Sequence, residues 1–211
     1  MRFIMPVIAL TLSACATVNV EHRAEMPIAA ARLQSTGKPV IVNGVVTVAS
    51  GALDEGFAVQ DASGGIYVSR TAGAAVKAGD QVHVSGSIVA PNKQIAIEPA
   101  GIGITGTGSV PVPSEIRTGA VGPATEGRLI VVQGKITGDV IDDQPHGWKI
   151  YLDDGSGPLL VFIATATRIN VKPLRAGQQL RATGFSGRYE QHTELLPRAP
   201  GDIIQQGGTG R

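Results

Sequence analysis

The feature that most constrains the fold is an internal repeat, because a repeat requires two segments to adopt the same structure. Each copy has four blocks in the same order. In the first copy they are residues 40–46, 57–68, 78–86 and 94–99. In the second copy they are residues 130–136, 150–157, 176–184 and 192–197. The spacing between the copies widens along the chain, so insertions fall between the blocks, as loops do.

Within the blocks, apolar and polar residues alternate with period two, which is typical of half-buried strands. Val82 and Val84, for example, are predicted to point inward and His83 outward. Residues 61–64 and 154–157 read as tight hairpin turns, in which the final glycine supplies a positive φ. Five short strands with an interruption after the third predict an all-β fold of two small closed Greek-key barrels in tandem.

The N-terminus carries a second signal. Arg2 precedes an apolar run, residues 3–12, that is too short to cross a bilayer and is typical of a signal peptide. The run ends in Leu-Ser-Ala-Cys at Cys15, the only cysteine of the chain, and this resembles a bacterial lipobox. The resemblance implies that Cys15 carries acyl chains such as palmitate, and the absence of Asp at position 16 implies sorting to the outer membrane, on its periplasmic face. A chance cysteine after an ordinary signal peptide is the alternative.

These signals together predict the domain organisation. The predicted segments are a signal peptide (1–14), a lipidated N-terminus and tether (15–37), a first barrel (38–105), a linker (106–124), a second barrel (125–203) and a tail (204–211). The glycine-rich residues 101–108 and the prolines that follow are the basis for placing the linker there.

The barrel blocks resemble the OB-fold domains found beside secreted bacterial nucleases and in other extracytoplasmic bacterial proteins. The resemblance rests on a first strand that ends near Gly44 or Gly134, and on the Asp-x-x-Gly turns. It also rests on a strand of the form Val-x-Val-x-Gly or Leu-x-Ala-x-Gly, which closes at Gly86 or Gly184. It implies five-stranded barrels that bind nucleic acid, other oligomeric ligands or partner proteins, and the fold alone does not choose among these.

Candidate ligand-binding residues follow from the way nucleic-acid-binding OB barrels work. Such barrels stack bases on aromatic side chains of the second and third strands and follow phosphates with cations. Alternation places Tyr67 outward in the first barrel and Tyr151 and Phe162 outward in the second, and Lys149 and Arg181 are the accompanying cations.

The outward apolar residues have a second interpretation. Leu160 and Phe162 can form the seam where the two barrels pack, and for these two residues the seam is the favoured interpretation. The acidic loop, residues 139–146, invites a metal-site interpretation, but its spacing is not that of an EF-hand and a solvent-exposed loop is predicted.

The sequence thus predicts a non-catalytic envelope lipoprotein that binds an oligomeric ligand, with nucleic acid the leading candidate. It lacks the common motifs for nucleophilic catalysis, phosphate loops and zinc hydrolysis, so neither an enzyme nor a cofactor or metal is expected. A protein adaptor or assembly factor at the outer membrane is the main alternative, and an oligosaccharide binder is a third. The net charge of +1 disfavours tight DNA binding. Besides the membrane anchor, a nucleic acid or an envelope protein is the expected partner, and the oligomeric state is left open.

Overall fold

The computed structural model describes residues 24–206. The predicted signal peptide and Cys15 lie outside the described residues. No helix between residues 24 and 206 is both long enough and apolar enough to cross a bilayer.

The first barrel is a closed five-stranded sheet. Its strands are β1 (Pro39–Val48), β2 (Phe57–Gln60), β3 (Gly65–Val68), β4 (Asp80–Val89) and β5 (Ala96–Thr107), with a 3-10 turn at Pro91–Lys93. The strand order is β1-β2-β3-β5-β4, and β4 pairs back onto β1. All neighbours are antiparallel except β3 and β5. Val82 and Val84 are buried in the core whereas His83 is partly exposed, so the predicted alternation is confirmed.

A short helix, α1 (Ile28–Arg32), packs against the apolar core of the first barrel. Ile28 and Ala31 are fully buried there. The Ile28 amide donates to Asp61 Oδ2 at 2.9 Å and the Ala29 amide to Ser63 Oγ at 3.0 Å, so the hairpin turn between β2 and β3 caps the start of the helix. The expectation of a free tether up to residue 37 is therefore corrected for the described part of that segment.

The second barrel repeats the first. Its strands and edge additions are β6 (Ser114–Glu115), β7 (Leu129–Ile136), β8 (Ile141–Asp143), β9 (Gly147–Asp153), β10 (Leu159–Ala164), β11 (Gln179–Tyr189), β12 (His192–Leu196) and β13 (Ile203–Gln205). Short 3-10 turns lie at Thr118–Ala120, Thr165–Thr167 and Pro200–Asp202. The closed order is β7-β9-β10-β12-β11, with β11 pairing onto β7 and a parallel β10–β12 pair. Both domains thus have the same connectivity, and the prediction of two tandem OB-type barrels is confirmed.

Three local expectations need correction. The glycine-rich end of β5 is paired with β4 as far as Thr107, and β6 adds to β7, so the connection is shorter than the predicted linker. β13 pairs with β11, so the predicted tail begins inside the sheet. In the first hairpin turn the Asp61 carboxylate accepts the Ser63 and Gly64 amides, and Gly64 has no positive φ, whereas Gly157 has φ 130°.

Candidate ligand-binding face

The outer face of β2 and β3 in the first barrel is covered by the second barrel. Phe185 on β11 is 3% exposed and forms an apolar cluster with Val48 and Ala58. Its ring centroid lies 5.6 Å from that of Tyr67, at an interplanar angle of 50°. Leu196 on β12 packs against the same cluster. This region, called the seam below, closes the face on which a single OB barrel would carry its ligand.

Polar contacts extend the seam on either side of the apolar cluster. The Arg198 guanidinium donates to the Thr47 carbonyl at 2.8 Å, and the Arg128 guanidinium donates to the Ser63 carbonyl at 2.7 Å. Close backbone approach adds to this, because a Cβ on Gly65 would overlap the carbonyl oxygen of Gly127. The two barrels therefore meet through side chains and backbone together.

A buried carboxylate joins α1 to both barrels. Glu126, which leads into β7, is 6% exposed, and its Oε1 lies 3.0 Å from Arg32 Nη2. The same oxygen accepts the Gln94 side-chain amide and the Ile95 backbone amide, both at 3.2 Å. A buried charge is tolerated only with such partners. The N-terminal segment, the first barrel and the second barrel are thus fixed to one another.

The corresponding face of the second barrel is open. Cross-strand pairing places Tyr151 on β9 opposite Leu160 on β10, and Leu160 opposite Glu194 on β12. In the neighbouring row, Lys149 lies opposite Phe162. Tyr151 is 40% exposed, and Leu160, Phe162 and Glu194 are half-buried. These five residues are called the open face below.

Only one cation lies on the strands of this face. Lys149 Nζ is 2.8 Å from Asp143 Oδ2, and this hydrogen bond is the main reason why the pKa of Lys149 is raised. The ammonium group also lies 6.0 Å from the Phe162 ring centroid, within reach of a cation–π interaction. Glu194 is different, because burial raises its pKa to about 7 and Lys149 opposes the rise only in part. The open face is aromatic and close to neutral rather than basic.

The structure brings together three of the five candidate ligand-binding residues, namely Lys149, Tyr151 and Phe162. Tyr67 is not available to a ligand, because its ring packs in the seam and its hydroxyl donates a hydrogen bond to Asp54. Burial and the Asp54 carboxylate raise the pKa of Tyr67 well above its usual value. Arg181 lies on another part of the barrel, opposite Gln133 on β7.

The favoured interpretation of Leu160 and Phe162 as seam residues is corrected. The seam cluster is built from Phe185 and Leu196 instead, and neither Leu160 nor Phe162 belongs to it. Phe185 was not identified from the sequence, because outward parity alone does not show which strand of one barrel meets the other. Glu194 was also missed, although the repeat alignment places it where the first copy has Ala96, an apolar position.

A concavity of about 740 Å³ lies elsewhere on the second barrel, against β6, β7 and the end of β9. Four of its polar side chains are already paired with one another, since Arg117 Nε lies 3.3 Å from Asp154 Oδ2 and Gln133 donates to Glu115 at 2.8 Å, whereas Lys135 is exposed and left for a ligand. Size alone does not favour this concavity, because none of its lining residues is an aromatic side chain on which a base could stack. Within residues 24–206, no three His, Cys, Asp or Glu side chains converge as they would around a metal ion.

The fold defines a tandem OB-type protein in which the outer face of the second and third strands is covered in the first barrel and open in the second. No protein-family model and no curated protein matches the chain.

Several solved structures align over most of this chain, at low structural similarity. One is a murine DNA-binding protein bound with double-stranded DNA, 10% identical over 82% of this chain and 99% of that chain, with a TM-score of 0.40. Another is the Ifi202 HINa domain in complex with 20-bp double-stranded DNA, 12% identical over 82% and 96%, with a TM-score of 0.36. The tetrameric p202 HIN2 domain is 13% identical over 82% and 95%, with a TM-score of 0.35. Likeness at this level says nothing about what the present chain binds.

Proposed function

We propose that this protein is a non-catalytic lipoprotein of the bacterial envelope that binds single-stranded nucleic acid along the open face of its second barrel. The observation that carries the proposal is the pair Tyr151 and Phe162 on the second and third strands of an uncovered OB-type barrel. OB barrels bind oligonucleotides and oligosaccharides on these strands. Base–aromatic stacking is tolerant of sequence, because every base has a π-face.

The charges of the open face determine what kind of binding to expect. Lysine and arginine are represented by a single residue, Lys149, on β9, β10 and β12. Lys149 already forms an ion pair with Asp143. Each phosphate that a single strand places on a cation adds about 0.7 to the magnitude of the log–log salt slope. We therefore expect a slope of about one or less, and an affinity that depends on stacking rather than on counterion release.

Fluorescence anisotropy with a short labelled oligothymidine tests the proposal. Stacking contributes about 1–3 kcal/mol per base, so Tyr151→Ala and Phe162→Ala should each weaken binding roughly 5- to 150-fold. Ile204→Ala is the matched control, because Ile204 is 49% exposed but lies on β13, away from these strands. No binding by the wild type at low salt would refute the nucleic-acid proposal.

A protein partner is the second candidate for the same face, and the seam is the observation that favours it. In this chain the face of the first barrel is occupied by protein side chains, Phe185 and Leu196. An OB-type face of this kind therefore accepts an apolar protein surface. Ile141 on β8, which is 47% exposed and lies opposite Lys149, extends the apolar part of the open face. If the open face binds a protein, oligothymidine should fail to bind the wild type. Tyr151→Ala should then weaken binding of the protein partner.

The envelope location is part of the proposal and rests on the lipobox-like sequence that ends at Cys15. The chain joins the first barrel soon after that residue, since the Met26 amide already donates to the Ile41 carbonyl at 2.9 Å. About 11 residues span at most about 40 Å when fully extended. A lipid on Cys15 would thus hold the barrels within that distance of the membrane surface.

A further inference from the structure

The two barrels can be compared position by position, because their strand pairings are equivalent. On β3 and β5 of the first barrel, Tyr67 lies opposite Ala96. On β10 and β12 of the second barrel, Leu160 lies opposite Glu194. Ala96 is fully buried, whereas Glu194 lies half-buried on the open face. The second barrel thus has a carboxyl group where its own repeat has a methyl group.

Nothing in the fold accounts for this carboxyl group. Within residues 24–206, no hydrogen bond or salt bridge to the Glu194 side chain is formed, and the nearby Lys149 is paired with Asp143. β10 has no ionisable side chain, and the residue opposite Glu194 on β11 is Gly187. No buried side-chain oxygen of the described residues lacks a partner, so the Glu194 carboxyl group opens onto the face rather than into the core. Its apolar surroundings nevertheless raise its pKa, and a perturbed carboxyl group on an open face points to a function.

We propose that Glu194 reads the edge of a base stacked on the open face, and that its carboxylate selects guanine. The inference rests on the proposed binding of single-stranded nucleic acid. An ionised carboxylate is an acceptor with two oxygens. The Watson–Crick edge of guanine presents two neighbouring N–H donors, N1–H and N2–H, which match these oxygens. Adenine, cytosine and thymine present a donor beside an acceptor, so one carboxylate oxygen would face a lone pair.

The preference should also depend on pH. A protonated carboxyl group offers one donor and one acceptor, which suits the mixed edges of the other three bases. Because burial raises the pKa of Glu194 to about 7, the guanine preference should be strong above that pH and fall below it. The ionisable groups that lie on the same side of the sheet as Glu194 are Lys149 and Tyr151 on β9, Tyr189 on β11 and His192 on β12 itself. Lys149 is paired with Asp143 of β8, and Arg188 follows Gly187, the residue opposite Glu194.

The test uses the full chain in detergent and three oligothymidines that carry a single central guanine, inosine or adenine. Inosine lacks the N2 amino group and keeps N1–H, so it isolates one of the two hydrogen bonds. At about pH 8, where Glu194 is ionised and the N1–H groups of both bases are kept, we expect the guanine probe to bind about tenfold more tightly than the inosine probe, as a good bidentate contact allows. Glu194→Gln should reduce this ratio to about one. Glu55→Gln is the matched control, because Glu55 is exposed in a loop of the first barrel, and it should keep the ratio.

The outcomes separate this inference from the function on which it rests. If no probe binds the wild type, the proposed function fails and this inference fails with it. If the probes bind and Tyr151→Ala weakens them, but guanine and inosine bind equally, the proposed function stands and the role of Glu194 is overturned. The same conclusion follows if Glu194→Gln keeps the preference. Thermal melting of Glu194→Gln checks that the variant is folded.

Discussion

Truncation of Phe185 should show how strongly the seam holds the two barrels. The side chain is 3% exposed and packs against Val48, Ala58 and Tyr67. Phe185→Ala removes these contacts and leaves a cavity, which in protein cores costs about 3–5 kcal/mol. A seam between domains can partly rehydrate, so we expect a loss near the lower end, about 3 kcal/mol. The loss includes the contact between the Phe185 and Tyr67 rings. Aromatic pairs of this kind contribute about 0.5–1.5 kcal/mol beyond the burial of their surface area.

Urea unfolding of the wild type and the variant measures this loss as a change in midpoint at constant slope. Tyr189→Ala on the same strand is the control, because Tyr189 is 53% exposed. Its truncation should change the free energy of unfolding by about 0.5 kcal/mol or less. If Phe185→Ala is no more destabilising than Tyr189→Ala, the second barrel does not cover the first in the way described.

Three further predictions concern the core, Glu194 and the anchor. Val84→Asp buries an unpaired carboxylate and should cost several kcal/mol, roughly, whereas His83→Asp on the outward side should cost less than about 1 kcal/mol; equal losses in thermal melts would mean that the strand register is wrong. The raised pKa of Glu194 means that stability is lost as pH rises from the unfolded value of 4.5 to about 7. A pKa that rises from 4.5 to about 7 corresponds to about 3 kcal/mol, and solvent at this half-buried site screens part of it. Glu194→Gln should therefore stabilise the protein by about 1–2 kcal/mol above that range and by much less below it; a shift in melting temperature that is the same at acid and alkaline pH would contradict this. Cys15→Ser should release the protein from the membrane fraction or leave its signal peptide uncleaved, and unchanged fractionation with normal maturation would contradict the lipobox interpretation.

The repeat was enough to predict the barrels, because period-two alternation and the positions of glycine are local properties. Gly44 and Gly134, aligned in the sequence, lie at equivalent positions opposite Val82 and Leu180. There a Cβ would meet the neighbouring strand. Close backbone approach of this kind requires glycine. The same local signals predicted that the Asp-x-x-Gly segments are hairpin turns.

The arrangement of the barrels could not be predicted in this way. Whether Phe162 or Phe185 lies in the seam depends on which face of one barrel meets the other, and both residues have outward parity on their strands. Helix α1 was missed for a related reason. It has five residues, and its own N-cap residue, Pro27, makes no side-chain hydrogen bond. Its position therefore depends on the burial of Ile28 and on capping by the distant Asp61 and Ser63 rather than on helix propensity.

Part of the candidate site could be predicted from the sequence. Tyr151 and Phe162 were identified by alternation and by the expected role of the second and third strands. Glu194 stood out only when its open surroundings were known, because a glutamate on a strand is ordinarily a solvated side chain. The alignment with Ala96 is the one sequence signal that pointed to it.

The most direct test of the central claim is a map of where an oligonucleotide contacts the protein. Backbone amide resonances followed by NMR during titration with a short oligothymidine report contacts residue by residue. If the second barrel carries the ligand, the shifts should concentrate on β9, β10 and β12, around Tyr151 and Phe162. The equivalent amides of β2 and β3, which the seam covers, should not move. Shifts centred on the first barrel, or on the concavity beside Arg117, would contradict the assignment of the open face as the binding site.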